Sequence, residues 1–231
     1  MLEVRKISKS YHHKPVLLDV DFTLDPGECL GVAGHNGSGK STLLAIVARV
    51  LPPDKGDIIF EGTLLKEGRI PSDLPLGYAP QENSLLEDLT VYETLAFWQK
   101  VYHQPVADLF TPSSVAAMLG LDRIQKKRIA QLSGGMRKRV SIAVALLRQP
   151  RLLLLDEALT ALDRGYRLAL ENYLTAFVGQ GNSILYSSHE IGELRDFCGR
   201  ILVLRQGEKI FDGKADSFPT DAAELDVLLN P

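Results

Sequence analysis

The sequence predicts an α/β fold, with a parallel core preceded by strands that read as an antiparallel layer. Three observations carry this. Residues 29–33, Cys-Leu-Gly-Val-Ala, run into a glycine-rich loop and then into the apolar segment 42–48, a buried strand followed by a helix. Residues 152–155 are consecutive leucines ending on Asp156 and Glu157, as expected of a central parallel strand covered on both faces. Residues 2–7 alternate apolar and polar as a half-buried strand does, and 16–24 again read as extended.

A chain of 231 residues suits one domain, or one domain with a subdomain. Its net charge of −3 gives no reason to expect a nucleic-acid surface. No apolar run approaches the roughly 18 residues of a membrane span, and the N-terminus lacks the apolar core of a signal peptide. Cys29 and Cys198 lack metal-ligand spacing and read as reduced thiols in a cytoplasmic protein.

The elements follow in order. Residues 9–15 are turn-like, and Asp25-Pro26-Gly27-Glu28 is a turn in which Pro sets φ and Gly frees it. The helix after the glycine-rich loop stops at 51–56, and 57–62 form a further strand and turn. Residues 76–79 are a short buried strand leading to Gln81. Thr90, with Glu93 three residues on, caps an amphipathic helix to Tyr102. Val91, Leu95, Trp98 and Tyr102 fall on one stripe, expected to pack on the core, and Phe97 with Trp98 could serve a partner groove. Residues 112–121 predict another short helix and 122–129 a charged, solvated stretch. A helix from Leu132 to about Arg148, a helix over 166–178 and a buried strand over 183–188 follow. Residues 201–211 carry a hairpin signature, and the apolar patch 225–229 says little.

The chemistry concentrates in a few places. Gly34, His35, Asn36, Gly37, Ser38, Gly39, Lys40 and Ser41, running into Thr42, match the phosphate-binding P-loop, Gly-x-x-x-x-Gly-Lys-Ser, in its strand–loop–helix setting. Glycines let backbone N–H groups approach phosphate oxygens, and the helix N-terminus adds unpaired donors. Lys40 should reach the β and γ phosphates of a nucleoside triphosphate, and the Ser41 hydroxyl should hold Mg²⁺. Asp156 at a strand end suits the Mg²⁺ shell, and Glu157 beyond it could deprotonate an attacking water. Ser133, Gly134 and Gly135 open a second helix with exposed backbone N–H groups, a second anion site.

These residues resemble the ATP-binding subunits of ABC transporters, in order and over essentially the whole chain. Tyr11 sits where that family stacks an aromatic on adenine. Gln81 matches the Q-loop, Leu132 to Met136 the Leu-Ser-Gly-Gly-Gln signature, Asp156 with Glu157 the Walker B strand and catalytic glutamate. Asp163 falls in the D-loop, and His189 is the switch histidine. The resemblance implies a P-loop NTPase core (1–81 and 132–231) with an antiparallel β layer and a helical subdomain (82–131). It implies a head-to-tail dimer in which one copy's signature helix faces ATP on the other's P-loop. Glu157, His189 and Gln81 are then catalytic, and Gln81 joins Ser41 and Asp156 around Mg²⁺. Integral membrane permease subunits would hold the chain at the cytoplasmic face of the membrane.

The sequence departs from the family at Met136, Ala158 and Ala161, where glutamine, proline and glycine are usual. Ser133 and the backbone amides survive, so contact with ATP is expected to persist. The short helical subdomain, the Leu-Ser-Gly-Gly-Met-Arg-Lys-Arg wording and the lack of a regulatory C-terminal domain lean towards an exporter. The alternative is a soluble ABC ATPase acting in complex assembly; a long coiled-coil insertion or tandem domains, its repair and translation forms, are not present. A small-molecule kinase or GTPase would leave the signature and His189 unexplained.

Overall fold

A computed structural model describes residues 1–65, 75–82, 84–104 and 109–219; the patch at 225–229 lies outside them. The strands are β1 (Leu2–Tyr11), β2 (Lys14–Leu24), β3 (Cys29–Ala33), β4 (Lys55–Phe60), β5 (Thr63–Leu64) and β6 (Leu76–Ala79). After them come β7 (Leu152–Asp156), β8 (Ser183–Ser187), β9 (Arg200–Arg205) and β10 (Glu208–Lys214). The helices are α1 (Lys40–Val47), α2 (Val91–Val101), α3 (Val115–Met118), α4 (Gly134–Leu147), α5 (Arg164–Gly179) and α6 (Ile191–Phe197).

One sheet is antiparallel, in the order β2-β1-β4-β5. The expected turn over 9–15 tightens to two residues, His12 and His13, both at positive φ, and pairing runs on to Tyr11 and Lys14. Two left-handed residues match the twist of the flanking strands, so the hairpin extends past what alternation alone marks. The other sheet has the order β10-β9-β3-β8-β7-β6. In it β9, β3, β8, β7 and β6 run parallel, and β10 pairs antiparallel at the edge.

Alternation inside the parallel strands explains why they are apolar throughout. Leu152 and Leu154 face a core shared with α1 and the antiparallel sheet, whereas Leu153 and Leu155 face the helices on the opposite side. Leu202 and Ile201, and Leu185 and Ile184, divide the same way. A strand covered on both faces has no polar side to offer.

Thr90 and Glu93 form the expected capping box on α2, with each side chain accepting from the other's backbone N–H. Val91 and Leu95 are buried, while Trp98 and Tyr102 pack at the edge of the stripe. The expected helix over 112–121 shortens to α3, because Ser114 caps it and Gly120 ends the turn at φ 66. In the stretch after it the basic residues are exposed, as expected, and its far end is anchored. The Ile129 N–H donates to the Leu89 carbonyl at 2.9 Å, and its side chain is fully buried.

β6 approaches α4 closely enough that a Cβ on Gly77 would run into the Ala145 carbonyl. Gly77→Ala is therefore expected to cost about 1–3 kcal/mol, since backbone cannot step aside as a flexible side chain can. A lowered denaturant midpoint reads this; an unchanged one would mean that α4 backs away freely.

Candidate functional site

Four neighbouring strands, β3, β8, β7 and β6, deliver their carboxyl ends to one edge of the parallel sheet. Ligands of open α/β sheets bind there, where loops leave the strands and helices begin. β3 ends in the glycine-rich loop, β6 leads to Gln81, β7 ends on Asp156 and Glu157, and β8 leads to His189.

The loop is shaped by backbone conformations that only glycine adopts without strain. Gly34, Gly37 and Gly39 have φ of 150°, 83° and 105°. A Cβ on Gly39 would stand 2.8 Å from the Val16 carbonyl and 2.7 Å from the Leu17 side chain. Gly39 is the N-cap of α1 and no side chain caps that end, so the first N–H groups of the helix stay available. The buried Ser38 hydroxyl finds no hydrogen-bond partner among the described residues. Uncapped N–H groups, an orphan hydroxyl and an inward lysine suit an anionic phosphate chain.

Lys40 is only 5% exposed, and its Nζ donates to the Gly34 carbonyl at 2.7 Å and the His35 carbonyl at 3.2 Å. Burial pulls its pKa down, opposed by Glu157 and Asp156. Glu157 Oε1 lies 3.9 Å from that ammonium and 3.4 Å from His189 Nδ1. The Gln81 side chain bridges the site. Its Oε1 accepts from the Ser41 hydroxyl at 3.2 Å, and its Nε2 donates to Glu157 Oε2 at 3.1 Å. Lys40, Ser41, Gln81 and Glu157, with Val16, Asn36 and Thr42, line a cleft of about 300 Å³, and His189, which does not line it, meets the site through Glu157. Ser41, Gln81 and Asp156 offer only oxygen, the donor set a hard cation such as Mg²⁺ accepts.

Glu157 itself sits at φ 46°, a left-handed conformation that is costly for a residue with a Cβ. Its N–H is shared between the Ser187 carbonyl at 3.0 Å and hydroxyl at 3.2 Å, and its carbonyl accepts from Thr160 Oγ1 at 3.1 Å. The kink turns its carboxylate towards the cleft while Asp156 stays 1% exposed, held by the Ser187 hydroxyl at 2.5 Å. Ser187 is a site-shaping residue that single-residue reading misses. Its only signal is register, opposite Asp156 across β7 and β8.

The turn carrying His189 is fastened from below. Ser188 Oγ donates to the buried Glu193 at 2.6 Å, and the Tyr186 hydroxyl donates to the same carboxylate. Burial pushes the Tyr186 hydroxyl's pKa far up. Arg167 Nη2 stands 3.0 Å from Glu193 Oε1, an ion pair off the hydrogen-bonding direction, since that oxygen accepts no bond.

Other predicted residues lie apart from this cleft. Tyr11 is 43% exposed, with Lys9 Nζ 5.9 Å from its ring centre, and Val16 takes the lining position. Ser133 caps α4 by accepting from the Met136 N–H at 3.3 Å, but neither it, Gly134, Gly135 nor Asp163 lines the cleft. Cys29 and Cys198, far apart in sequence, bring their sulfurs to 3.2 Å as free thiols, and burial pushes Cys29 up. A wider cleft of about 790 Å³ opens on the antiparallel layer, but its charges largely pair with one another, as Arg200 does with Asp212 and Lys209 with Asp21.

The sequence profile of one family, described as ABC transporter, matches residues 17–160. The linearmycin resistance ATP-binding protein LnrL of Bacillus subtilis is 32% identical over 214 residues, covering 92% of this chain and 69% of that protein. The Nod factor export ATP-binding protein I of Sinorhizobium fredii is 32% identical over 230 residues, covering 98% of this chain and 66% of that one. The chain thus spans about two thirds of the length of these relatives. A solved structure described as an ATP-binding subunit of an ABC transporter superposes with a TM-score of 0.84 at 30% identity, covering 94% of this chain and 90% of the other. A dimeric ATP-binding cassette in a post-hydrolysis state, bound to ADP and Pi, superposes with a TM-score of 0.83 at 25% identity, covering 94% and 100%.

Proposed function

Because this chain belongs to the ABC transporter family as an ATP-binding ATPase, we propose that it powers an export-type transporter, working as a head-to-tail pair beneath separate membrane permease subunits. The observation that carries the reading is the convergence of Lys40, Ser41, Gln81, Glu157 and His189 on one edge of the sheet, while the cap of α4 points elsewhere.

In this reading Lys40 leaves the Gly34 and His35 carbonyls for the β and γ phosphates, and the loop N–H groups take the remaining oxygens. Ser41, Gln81 and Asp156 would hold Mg²⁺, which would supply neutralising positive charge to the nucleotide. The Glu157 carboxylate accepts the proton of the attacking water, and His189 orients water and γ-phosphate from the opposite side. Tyr11 offers its exposed ring to adenine. Ser133, Gly134 and Gly135, with Asp163 beside them in the D-loop, complete the neighbouring copy's site. Two observations support the pairing: the Ser133 end of α4 is solvent-exposed, and the superposing cassette is a dimer. Residues 1–81 and 132–231 form the nucleotide-binding unit in this reading, and 82–131 the helical subdomain.

The export direction draws support from the relatives' names, one of them a Nod factor export protein, and these weigh against a role in complex assembly. Among the described residues no helix is long and apolar enough to cross a membrane, so attachment at the cytoplasmic face would come through the permease. For docking, α2 and the turn before it offer Leu86, Tyr92, Phe97 and Val101, which are 60%, 45%, 45% and 47% exposed, apolar surface that a cytoplasmic permease helix could cover. Trp98, considered with Phe97 for this role, packs instead against the core. Alanine at Leu86 and Phe97 is expected to release the chain from permease-containing membranes while sparing ATPase activity of the isolated subunit. Lost ATPase with intact membrane association would return both residues to a structural role.

A further inference from the structure

Three consecutive basic residues follow the Ser-Gly-Gly start of α4, and each holds a different segment. Arg137 pairs with Glu87 at 3.0 Å and donates to the Leu132 and Ala130 carbonyls, both at 3.2 Å. Arg139 donates to the Leu119 carbonyl at 2.9 Å and stacks over the Tyr166 ring of α5, 4.0 Å from its centre. Lys138 alone reaches towards the nucleotide cleft. It is 3% exposed, and its Nζ donates to the Pro80 carbonyl at 2.7 Å and the Gln81 carbonyl at 2.8 Å.

A buried ammonium is expensive, and an apolar side chain would pack there at less cost. What Lys138 supplies is a fixed partner for two carbonyls that have left the ladder at the end of β6, holding the turn in one place where loose water contacts would not. Burial draws its pKa down while the Asp156 and Glu157 carboxylates favour its charge, which places the ammonium in the field of the site's own acids. The turn it holds is the one whose side chain bridges Ser41 and Glu157.

We propose that Lys138 is the positioning residue for Gln81: reaching from α4, it clamps the Pro80 and Gln81 carbonyls and so sets where the Gln81 amide stands between Ser41 and Glu157. The proposal rests on the reading of Gln81 as a site residue and deepens it. It gives α4 two tasks at once. Its first turn faces the neighbour's nucleotide in the proposed pair, and the next residues hold a ligand-side amide in the chain's own cleft. A shift of α4 on pairing is then passed to the same chain's Gln81 through a single ammonium.

The test is a double-mutant cycle on the full chain with Mg-ATP, read under single-turnover conditions so that slow rates stay measurable. Lys138→Met is expected to lower the hydrolysis rate by about 10-fold to 10²-fold, the scale of a misplaced catalytic-site group, with ATP affinity changed less than about threefold. In a Gln81→Ala background the same change should cost less than about twofold, because the group it positions is gone. A merely structural lysine would show losses that multiply, and that result overturns the proposal, as does full activity of Lys138→Met. Gln81→Ala with an unaltered rate would instead overturn the reading of Gln81, on which the proposal stands. Lys138→Gln, neutral but retaining one amide donor, runs the same cycle if Lys138→Met does not fold. Failure of both to fold would make the residue a folding requirement and sink its positioning role.

Discussion

Glu157→Gln is expected to bind ATP normally and to hydrolyse it 10²- to 10⁴-fold more slowly, about the worth of a positioned general base. The amide keeps the size of the carboxylate and can still accept from Gln81 Nε2, which lies 3.1 Å from Glu157 Oε2. It cannot take a proton from water. Lys40, Ser41 and Asp156 are untouched, so the nucleotide should stay bound and the paired form accumulate. Ser133→Arg should abolish that pair by placing bulk and charge where the neighbour's γ-phosphate must sit. The same chain's cleft would be spared, because Ser133 does not line it. Light scattering of Glu157→Gln with Mg-ATP, with and without Ser133→Arg, reads both effects. Monomers throughout would mean that the start of α4 does not complete a second copy's site.

Lys40→Ala should weaken ATP binding by about 10²-fold, equivalent to about 3 kcal/mol for losing a charged hydrogen bond in a buried setting. Among the described residues that line the cleft, Lys40 is the one cation. Lys138, which feels the same Asp156 and Glu157 carboxylates, is committed to the Pro80 and Gln81 carbonyls. Of the two carbonyls that lose their donor, His35 belongs to an exposed residue and can turn to water, whereas that of buried Gly34 is left unpaired. Some loss of stability therefore accompanies the loss of affinity, and the titration is read on folded protein. Titration with a non-hydrolysable ATP analogue measures the loss. Unchanged affinity and unchanged hydrolysis would remove the phosphate-binding assignment of residues 34–41.

Much of this protein is written locally in the chain. The glycine-rich loop is legible because left-handed φ at Gly34, Gly37 and Gly39 tolerates almost no other residue, and a run such as 152–155 is legible because both its faces are buried. The Thr90–Glu93 box is likewise local, since a cap and its partner are three residues apart. Lengths that depend on turn chemistry were less so. β1 runs four residues past its alternating segment, to Tyr11, β2 begins two residues before its extended one, at Lys14, and α3 stops short at Gly120. Contacts that join distant segments leave no periodic trace at all. Ser187 meets Asp156 only because β7 and β8 are neighbours in parallel register, and Cys29 meets Cys198 only because α6 packs back on β3. Lys138 reads as one charge in a basic run until α4 crosses the end of β6, where desolvation allows only a partnered ammonium. Local steric rules and burial patterns act within a few residues and are carried by the sequence itself. The partners of Ser187, Lys138 and Glu193 follow from sheet order and helix packing, which are settled by the whole chain burying its apolar surface at once.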